Sequence, residues 1–301
     1  MKKFSIIIPT YNRLKLLQEL LDSMLVQQFN CKQFEFLVID NNSTEDVEKV
    51  VMDFRHAHRR FNLKYHRESR QGVQYAWNKG IEMAQGQLLV FVDDDITFHK
   101  DYFHFLETNF QGEIKNIAGG GKVAPVFEHQ KPAWISKYVM PYFAEINLGE
   151  KTNFPKKKNP LAANMLISKD VFERAGKFNT EKYNEKNLIT PGTFEGDLFR
   201  RIARLNIPIY YFGDLVVWHL ISKEKISKSH IKSQAIELGK TYREMYKTKG
   251  QHAYFYALLR NLLKWIAACV LSLYYIVTTQ WEKASMLFKL RYWKTKGLLN
   301  F

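Results

Sequence analysis

The sequence predicts an α/β protein of the doubly wound type, with a mainly parallel sheet and a C-terminal helical appendage. Apolar runs typical of buried strands alternate with segments whose apolar residues recur at helical spacing. Three of these runs, at 4–8, 34–39 and 88–92, each end at a polar turn, and the last ends at three consecutive aspartates. Because parallel sheets bind ligands at the carboxyl ends of their strands, these turns are the predicted site.

The first half of the chain reads as repeated strand–helix units. Apolar residues on one helical face follow the strand at 4–8 (Leu14–Leu25) and the strand at 34–39 (Val47–Phe54). A short strand at 63–66 and a helix at 72–84, ended by Gly86, then lead to the strand at 88–92. This order favours parallel pairing of the strands.

The middle of the chain is less regular. Three glycines at 119–121 indicate a bend or a close approach of two backbones. A strand at 161–167 and helices at 169–175 and 195–205 follow, and then a strand-like run at 207–219 that we expect to break at Gly213. We predict a catalytic domain over residues 1–220.

Residues 221–301 are predicted to form a basic helical region rich in aromatic residues. The chain has a formal net charge of +15, and residues 220–301 carry 15 Lys and Arg against 4 Asp and Glu. Such a charge favours an anionic membrane surface, nucleic acid or an acidic protein as partner. No nucleic-acid-binding motif accompanies the charge, so we do not expect nucleic acid.

The apolar segment 253–281 determines whether this region lies in, spans or avoids the membrane. Its longest charge-free run, Trp265–Trp281, has 17 residues, and a spanning helix needs about 20. We therefore rank a helix lying in the membrane interface first. A helix packed on the catalytic domain, or paired in a homodimer, ranks second, and a full span ranks third.

Cysteine usage and the start of the chain bear on location. Cys31 and Cys269 are far apart in the sequence and form no disulfide framework or metal motif, which fits a reducing compartment. The apolar run after Lys3 is short and is cut by Pro9, so we predict no secretory signal. We expect the protein at the cytoplasmic face of the membrane.

The acidic triplet Asp93, Asp94 and Asp95 carries the strongest chemical signal. Because side chains alternate along a strand, we expect Asp93 and Asp95 to point to one side and Asp94 to the other. Two converging carboxylates repel each other unless a cation lies between them, and Mg²⁺ or Mn²⁺ prefers carboxylates together with substrate phosphates. The alternative is a solvated turn that opens a helix, with Asp95 as its cap.

Three motifs together resemble glycosyltransferase family 2, an inverting family with the GT-A fold. They are Ile8–Arg13, Val38–Ser43 and Phe91–Asp95, and the resemblance covers about residues 1–220. It implies a nucleotide-sugar donor. The residues that it assigns to the donor are Pro9, Thr10, Tyr11, Asn12, Arg13, Asp40, Asn41, Arg70, Gly72, Asn78, Asp93, Asp94 and Asn164. Simpler roles for the turn at Pro9–Asn12 and for Asp40 are a β-turn and an Asx cap.

The same resemblance implies the metal ligands and the catalytic base. Asp93, Asp95 and His219 would hold Mn²⁺ or Mg²⁺. The segment Gly192–Arg201 resembles the acidic helix start of the family, but Glu195 occupies the place of an Asp and Phe194 that of a Glu. Inverting transfer needs one carboxylate to accept the proton of the acceptor hydroxyl. Glu195 is our first choice for this base and Asp197 the alternative.

We therefore expect a metal-dependent glycosyltransferase that moves a sugar, from a UDP-sugar by preference, to a glycan or lipid-linked glycan in surface polysaccharide synthesis. A nucleotidyltransferase is the first alternative, but such an enzyme would need a glycine-rich phosphate-binding loop after the first strand, and Pro9–Arg13 contains no glycine. A non-catalytic membrane scaffold is the second. The donor sugar, acceptor and linkage depend on the loops at 119–160 and 176–194, which match no motif.

Overall fold

The structure is a computed structural model that describes residues 2–155, 158–180, 193–247 and 249–300. The chain divides into two compact units. The first comprises Met1–Ala124, Ile146–Asn187 and Pro191–Leu220, and the second comprises Pro125–Glu145, Leu188–Thr190 and Ile221–Phe301. Much of the predicted specificity loop at 176–194, including Gly192 of the acidic motif, lies outside the described residues.

The first unit contains the predicted alternation of strands and helices. Its strands are β1 (Phe4–Thr10), β2 (Phe34–Asp40), β3 (Leu63–Arg67), β4 (Leu88–Phe91), β5 (Ile96–Phe98), β6 (Ala118–Phe127), β7 (Met165–Ser168) and β8 (Ile209–Ile221). Its helices are α1 (Leu14–Ser23), α2 (Val47–Ala57), α3 (Val73–Met83), α4 (Tyr102–Asn109), α5 (Lys169–Ala175) and α6 (Thr193–Arg204).

In the described part of the chain these strands form one mixed sheet in the order β3-β2-β1-β4-β7-β6-β8-β5. Strands β1 to β4 pair in parallel, as predicted. The pairs β4–β7, β6–β7 and β5–β8 are antiparallel, so the doubly wound pattern is confined to the first four strands. The sequence could not show this, because the apolar residues of a short strand do not indicate whether it pairs with its neighbour in parallel or antiparallel.

The register of the sheet brings the polar strand ends together. Thr10 pairs with Asp40, and Asp40 pairs with Arg67 on the next strand. At the far end of the sheet, Ile96 pairs with His219. The register of the sheet therefore places residues that are distant in sequence side by side.

The three glycines fulfil the second of the two roles predicted for them. They lie inside β6, and a Cβ atom added to Gly121 would collide with the carbonyl oxygen of Leu215 on β8. The expected break at Gly213 is wrong, since β8 runs unbroken from Ile209 to Ile221. Close backbone approach, not a bend, explains the glycines.

The buried core that supports the site lies on one face of the sheet. Ile7, Phe91 and Ile167 of the sheet pack with Trp77 of α3 and Phe199 of α6 in one apolar cluster. All five side chains are at most 4% exposed. Such complete burial holds the strand ends rigidly.

The second unit contains α7 (Lys228–Lys247), α8 (Gln251–Val277) and α9 (Trp281–Leu299). Helix α8 contains residues 253–277 of the predicted apolar segment 253–281. The chain then turns at Thr279, whose φ is +58°, and α9 returns along α8. Trp134 and Phe143 pack with Ile231 of α7 and Met286 of α9, so residues 125–145 belong with these helices. Among the described residues, Gln251–Val277 is the helix long and apolar enough to cross a membrane, and few residues of its apolar part are buried.

Candidate active site

The acidic triplet lies in a chain of polar contacts at the ends of β1, β4 and β8. Thr10 Oγ1 donates a hydrogen bond of 2.8 Å to Asp94 Oδ2. Arg13 Nη1 lies 3.0 Å from Asp94 Oδ1 and 3.4 Å from Asp95 Oδ2. His219 Nε2 lies 3.3 Å from Asp95 Oδ1. Thr10, Arg13, Asp94, Asp95 and His219, which the sequence predicted as parts of one site, are therefore linked by contacts.

The expectation that a strand carries the three aspartates is wrong. Strand β4 ends at Phe91, and Asp94 and Asp95 lie in a turn before β5. Both carboxylates consequently reach the same guanidinium, that of Arg13. No helix follows Asp95 directly, so its alternative role as a helix cap is also excluded.

Asp93 is the carboxyl group most affected by its surroundings. Burial, together with the nearby charges of Asp95, Asp94 and Glu195, raises its pKa to about 7, although His219 opposes the shift. Burial also raises the pKa of Asp94, although Arg13 partly offsets this. Asp93, Asp94, Asp95 and Glu195 are called the acidic cluster below. The acidic cluster concentrates more negative charge than the neighbouring cations neutralise.

This donor set fits part of the coordination shell of a divalent ion. The 3.3 Å between Asp95 Oδ1 and His219 Nε2 is near the roughly 3 Å between adjacent ligands of an octahedral ion. No group of three His, Cys, Asp or Glu side chains within the described ranges is arranged to hold an ion by itself. The predicted triad of Asp93, Asp95 and His219 is therefore incomplete, and a substrate diphosphate would have to supply further oxygens.

Asp40 is fully buried at the end of β2 and has specific partners. Its Oδ2 accepts a hydrogen bond of 2.9 Å from the hydroxyl of Tyr65, and Arg67 Nη1 lies 3.6 Å from the same atom. Its Oδ1 accepts from the backbone N–H of Ser43 at 2.8 Å. The Asx helix cap predicted at Asp40 is wrong, because Asp46 caps α2. Burial and the contact with Asp40 raise the pKa of Tyr65 to about 12, so this phenol remains a donor.

Asn12 and Asn41 organise the loops around this end of the sheet. Asn12 has a φ of +52°, and its Oδ1 accepts from Thr44 N at 2.8 Å. Asn41 donates to Arg70 O at 2.7 Å and accepts from Gly72 N at 2.8 Å. Gly72 has a φ of +131°, which only glycine adopts readily.

Pro9 and Tyr11 flank Thr10 in different environments. Pro9 is buried within β1, whereas Tyr11 is 44% exposed. Of the two, only Tyr11 presents a surface on which a nucleotide base could stack. A donor contact from either residue stays a prediction.

Two other residues assigned to the donor are already engaged by the protein. Arg70 makes a bidentate ion pair with Glu68, at 2.8 Å and 2.9 Å, and stacks on the ring of Tyr75. Asn78 donates to Phe178 O at 2.9 Å and accepts from Phe178 N at 3.0 Å. The structure therefore gives Asn78 a role in holding residue 178, and its donor contact stays a prediction.

Asn164 joins helix α4 and strands β6 and β8 from a buried position. Its Oδ1 accepts from the hydroxyl of Tyr102 at 2.8 Å, and its Nδ2 donates to Lys122 O at 3.0 Å and to Leu215 O at 2.8 Å. These bonds occupy both amide hydrogens. Asn164 thus positions β6 and β8 beside the site, whatever it contributes to donor binding.

The two candidates for the catalytic base differ in environment. Glu195 is 6% exposed, near enough to Asp93 to affect its pKa, and its Oε1 accepts from Ala162 N at 3.4 Å. Asp197 pairs within α6 with Arg201 at 3.2 Å and Arg200 at 3.7 Å. Glu195 therefore lies within the acidic cluster, whereas the carboxylate of Asp197 is neutralised by its own helix.

Sequence reasoning missed Tyr65, Glu68 and Tyr102, whose side chains form hydrogen bonds with predicted site residues. They orient Asp40, Arg70 and Asn164 respectively. No motif marks them. For Tyr65, one available signal is that it lies two residues before Arg67 on a strand, so both side chains face the same way.

Comparison with known proteins agrees with this geometry. The model of glycosyl transferase family 2 matches residues 5–175. The glycosyltransferase AglE of Haloferax volcanii is 26% identical over 58% of this chain and 55% of its own length. A glucosyl-dolichyl phosphate glucuronosyltransferase of the same organism is 23% identical over 72% of each chain. The chain thus spans about half the length of the first relative.

Solved structures show the same fold. The mannosyltransferase PcManGT of Pyrobaculum calidifontis, in complex with GDP-Man and Mn²⁺, has a TM-score of 0.59 at 16% identity, covering all of this chain and 88% of that one. Residues 1–349 of Staphylococcus aureus TarS, with UDP-GlcNAc, give 0.55 at 16% identity, with 99% and 92% covered. The first unit therefore has the GT-A fold that its strand ends predict, and the chain belongs to glycosyl transferase family 2.

Proposed function

We propose that this protein is an inverting glycosyltransferase that moves a sugar from a nucleoside-diphosphate sugar to a hydroxyl group of a lipid-linked or polymeric glycan. The observation that carries this proposal is the contact chain from Thr10 and Arg13 through Asp94 and Asp95 to His219. It joins a nucleotide-type turn to an acidic cluster at the carboxyl ends of strands, where α/β sheets bind nucleotides.

The donor would lie along this edge of the sheet. The turn Thr10–Arg13 and the buried carboxylate of Asp40 would bind the base and ribose, with Tyr65 and Ser43 orienting Asp40. A UDP-sugar is our first choice, since TarS binds UDP-GlcNAc. A GDP-sugar is the alternative, since PcManGT binds GDP-Man.

Asp95 and His219, together with Asp93, would hold Mn²⁺ or Mg²⁺. When bound, the ion would neutralise charge on the departing diphosphate. Arg13 can accompany it, since a guanidinium pairs well with phosphate oxygens. The raised pKa of Asp93 supports this assignment, because crowded carboxylates favour a cation among them.

Glu195 would act as the base. Its carboxylate accepts the proton of the acceptor hydroxyl as that oxygen bonds to the anomeric carbon. The bond from this carbon to the diphosphate oxygen breaks, and the nucleoside diphosphate leaves with the bonding electron pair. Attack opposite the leaving group inverts the anomeric centre.

We place this reaction at a membrane surface. Helix α8 exposes large apolar side chains, among them Leu263 at 63% and Leu273 at 61%, which favours insertion into the interface. Both thiols, Cys31 and Cys269, are free, which fits the cytoplasmic face. The lipid-linked acceptor named for one relative supports such an acceptor here.

The test is nucleotide release from a panel of UDP- and GDP-sugars with Mn²⁺ and a lipid-linked glycan. Glu195→Gln should lower kcat by about 10²- to 10⁴-fold while donor-induced thermal stabilisation persists. Asp197→Asn is the matched control and should leave most of the activity.

The assignment of the base is wrong if Asp197→Asn abolishes transfer and Glu195→Gln does not. If no donor is turned over and none raises the melting temperature, the enzymatic proposal fails. In that case a non-catalytic scaffold explains the fold better.

A further inference from the structure

Four cationic side chains of the second unit come together on two neighbouring helices. Arg260 and Lys264 lie one turn apart on α8, and Arg291 and Lys294 lie one turn apart on α9. The helices are antiparallel neighbours at this level: Asn261 Nδ2 donates to Thr295 Oγ1 at 3.1 Å, and Trp265 Nε1 donates to the same oxygen at 2.9 Å. Below, these four residues are called the basic cluster.

The charges of the basic cluster are close enough to affect one another. Burial, together with the neighbouring charges of Arg291 and Lys264, lowers the pKa of Lys294 to about 8. In the part of the chain that the structure describes, none of the four has a carboxylate within ion-pair distance. Like charges without an acidic partner repel one another and are destabilising. A bound anion from outside this unit would relieve that repulsion.

Aromatic side chains and an unsatisfied donor complete the cluster. Arg260 Nη1 donates to the hydroxyl of Tyr246 at 3.1 Å, and Lys294 Nζ lies 5.1 Å from the centre of the Tyr242 ring. The Nε atom of Arg291 is buried and has no hydrogen-bond partner. A buried unsatisfied donor is costly, and a bound anion oxygen would remove that cost.

The surface beside the basic cluster is apolar. Leu259, Leu263 and Ile266 of α8 are 47%, 63% and 56% exposed. A soluble anion would use the cations and leave this surface in water. An amphiphile, with a charged head and an apolar chain, matches both features.

We infer that the basic cluster binds the phosphate or diphosphate head of a membrane lipid, whose apolar chain lies along the exposed face of α8. Several cations gathered at one point favour a head with more than one negative oxygen over diffuse attraction to a surface. This inference rests on the proposed function only where the lipid is taken as the carrier of the acceptor glycan. The binding itself does not depend on catalysis.

The experiment measures binding of the full chain to vesicles by co-sedimentation. Phosphatidylcholine vesicles are compared with vesicles that also contain phosphatidic acid, whose head is a phosphate monoester. The double variant Lys264→Gln with Lys294→Gln should bind the phosphatidic acid vesicles roughly 30-fold more weakly than the wild type, at about 1 kcal/mol for each charge. Its circular dichroism should be unchanged, because it removes mutually repelling charges.

The control variant, Lys232→Gln with Lys289→Gln, removes the same charge from exposed positions on α7 and α9. Its affinity for the phosphatidic acid vesicles should fall by less than about fivefold. Equal losses in the two double variants would mean diffuse attraction and would overturn the inference. Equal wild-type binding to both vesicle types would overturn it too.

Soluble pyrophosphate distinguishes a free anion from a lipid. If it raises the melting temperature of the wild type as much as phosphatidic acid vesicles do, the ligand is a free phosphate compound and the lipid assignment is wrong. Thermal stabilisation by the nucleotide sugar should persist in both double variants. If the nucleotide sugar does not stabilise the wild type, the proposed function is contradicted, but the lipid result is not affected.

Discussion

Replacing Asn164 with alanine tests whether this residue primarily holds the sheet or primarily binds the donor. The substitution removes three hydrogen bonds, to the Tyr102 hydroxyl and to the carbonyl oxygens of Lys122 and Leu215. Asn164 is 1% exposed and Tyr102 is fully buried. Each buried polar group left without a partner costs about 1–3 kcal/mol.

We therefore expect Asn164→Ala to lower the free energy of unfolding by about 3–9 kcal/mol, the sum for three partners left without a hydrogen bond. Because the total stability of a domain is about 5–15 kcal/mol, the variant should unfold at a much lower urea concentration. Urea denaturation followed by far-UV circular dichroism measures this change.

Tyr102→Phe is the matched partner in a double-mutant cycle. By itself it should cost about 1–2 kcal/mol, and the two changes together should cost about 1 kcal/mol less than their sum, since both remove the same bond. A change in unfolding free energy below about 1 kcal/mol for Asn164→Ala, with donor-induced stabilisation lost, would refute the reasoning. Asn164 would then be primarily a ligand-binding residue.

Three further predictions concern other residues. The pKa of Lys294, about 8, is below its ordinary value near 10.4, so the unfolded chain binds more protons between these values and stability rises with pH. From pH 7 to pH 10, we expect the wild type to gain about 2–3 kcal/mol relative to Lys294→Met, measured by denaturation at each pH. Gly239→Leu should disrupt the contact of α7 with α9, because its Cβ would collide with the carbonyl oxygen of Lys294. Circular dichroism should show a lower melting temperature, whereas Gly213→Ala, with more room, should have little effect. Tyr65→Phe removes the donor to Asp40 and should weaken nucleotide binding by about fivefold, measured by calorimetry; unchanged affinity would argue against a role for Asp40.

The parallel half of the sheet could be predicted because its signals are local. Each strand of β1, β2 and β4 is a short apolar run that ends at a polar turn, and each turn carries its own motif. The sequence-based prediction failed where the pattern of side chains does not indicate the direction of a strand or whether the strand continues. Strands β6 and β7 are antiparallel neighbours, and β8 continues through Gly213.

For the site, the sequence by itself determined which residue types gather: a polar turn at Thr10–Arg13, a carboxylate at residue 40, the acidic triplet and a distant histidine. These follow from the rule that ligands bind at strand ends, together with motifs contiguous in the chain. Family membership follows from the same residues.

Only the tertiary structure decided what each residue contacts. Arg13 pairs with two aspartates of the triplet because the strand ends before them. Glu195 lies within the acidic cluster, whereas Asp197 is paired with its own helix, although the two are only two positions apart. The basic cluster of Arg260, Lys264, Arg291 and Lys294 exists because the apolar segment turns at Thr279 and brings two helices side by side. Interaction energies depend on distance and burial through space, and those quantities are defined only once the chain has folded.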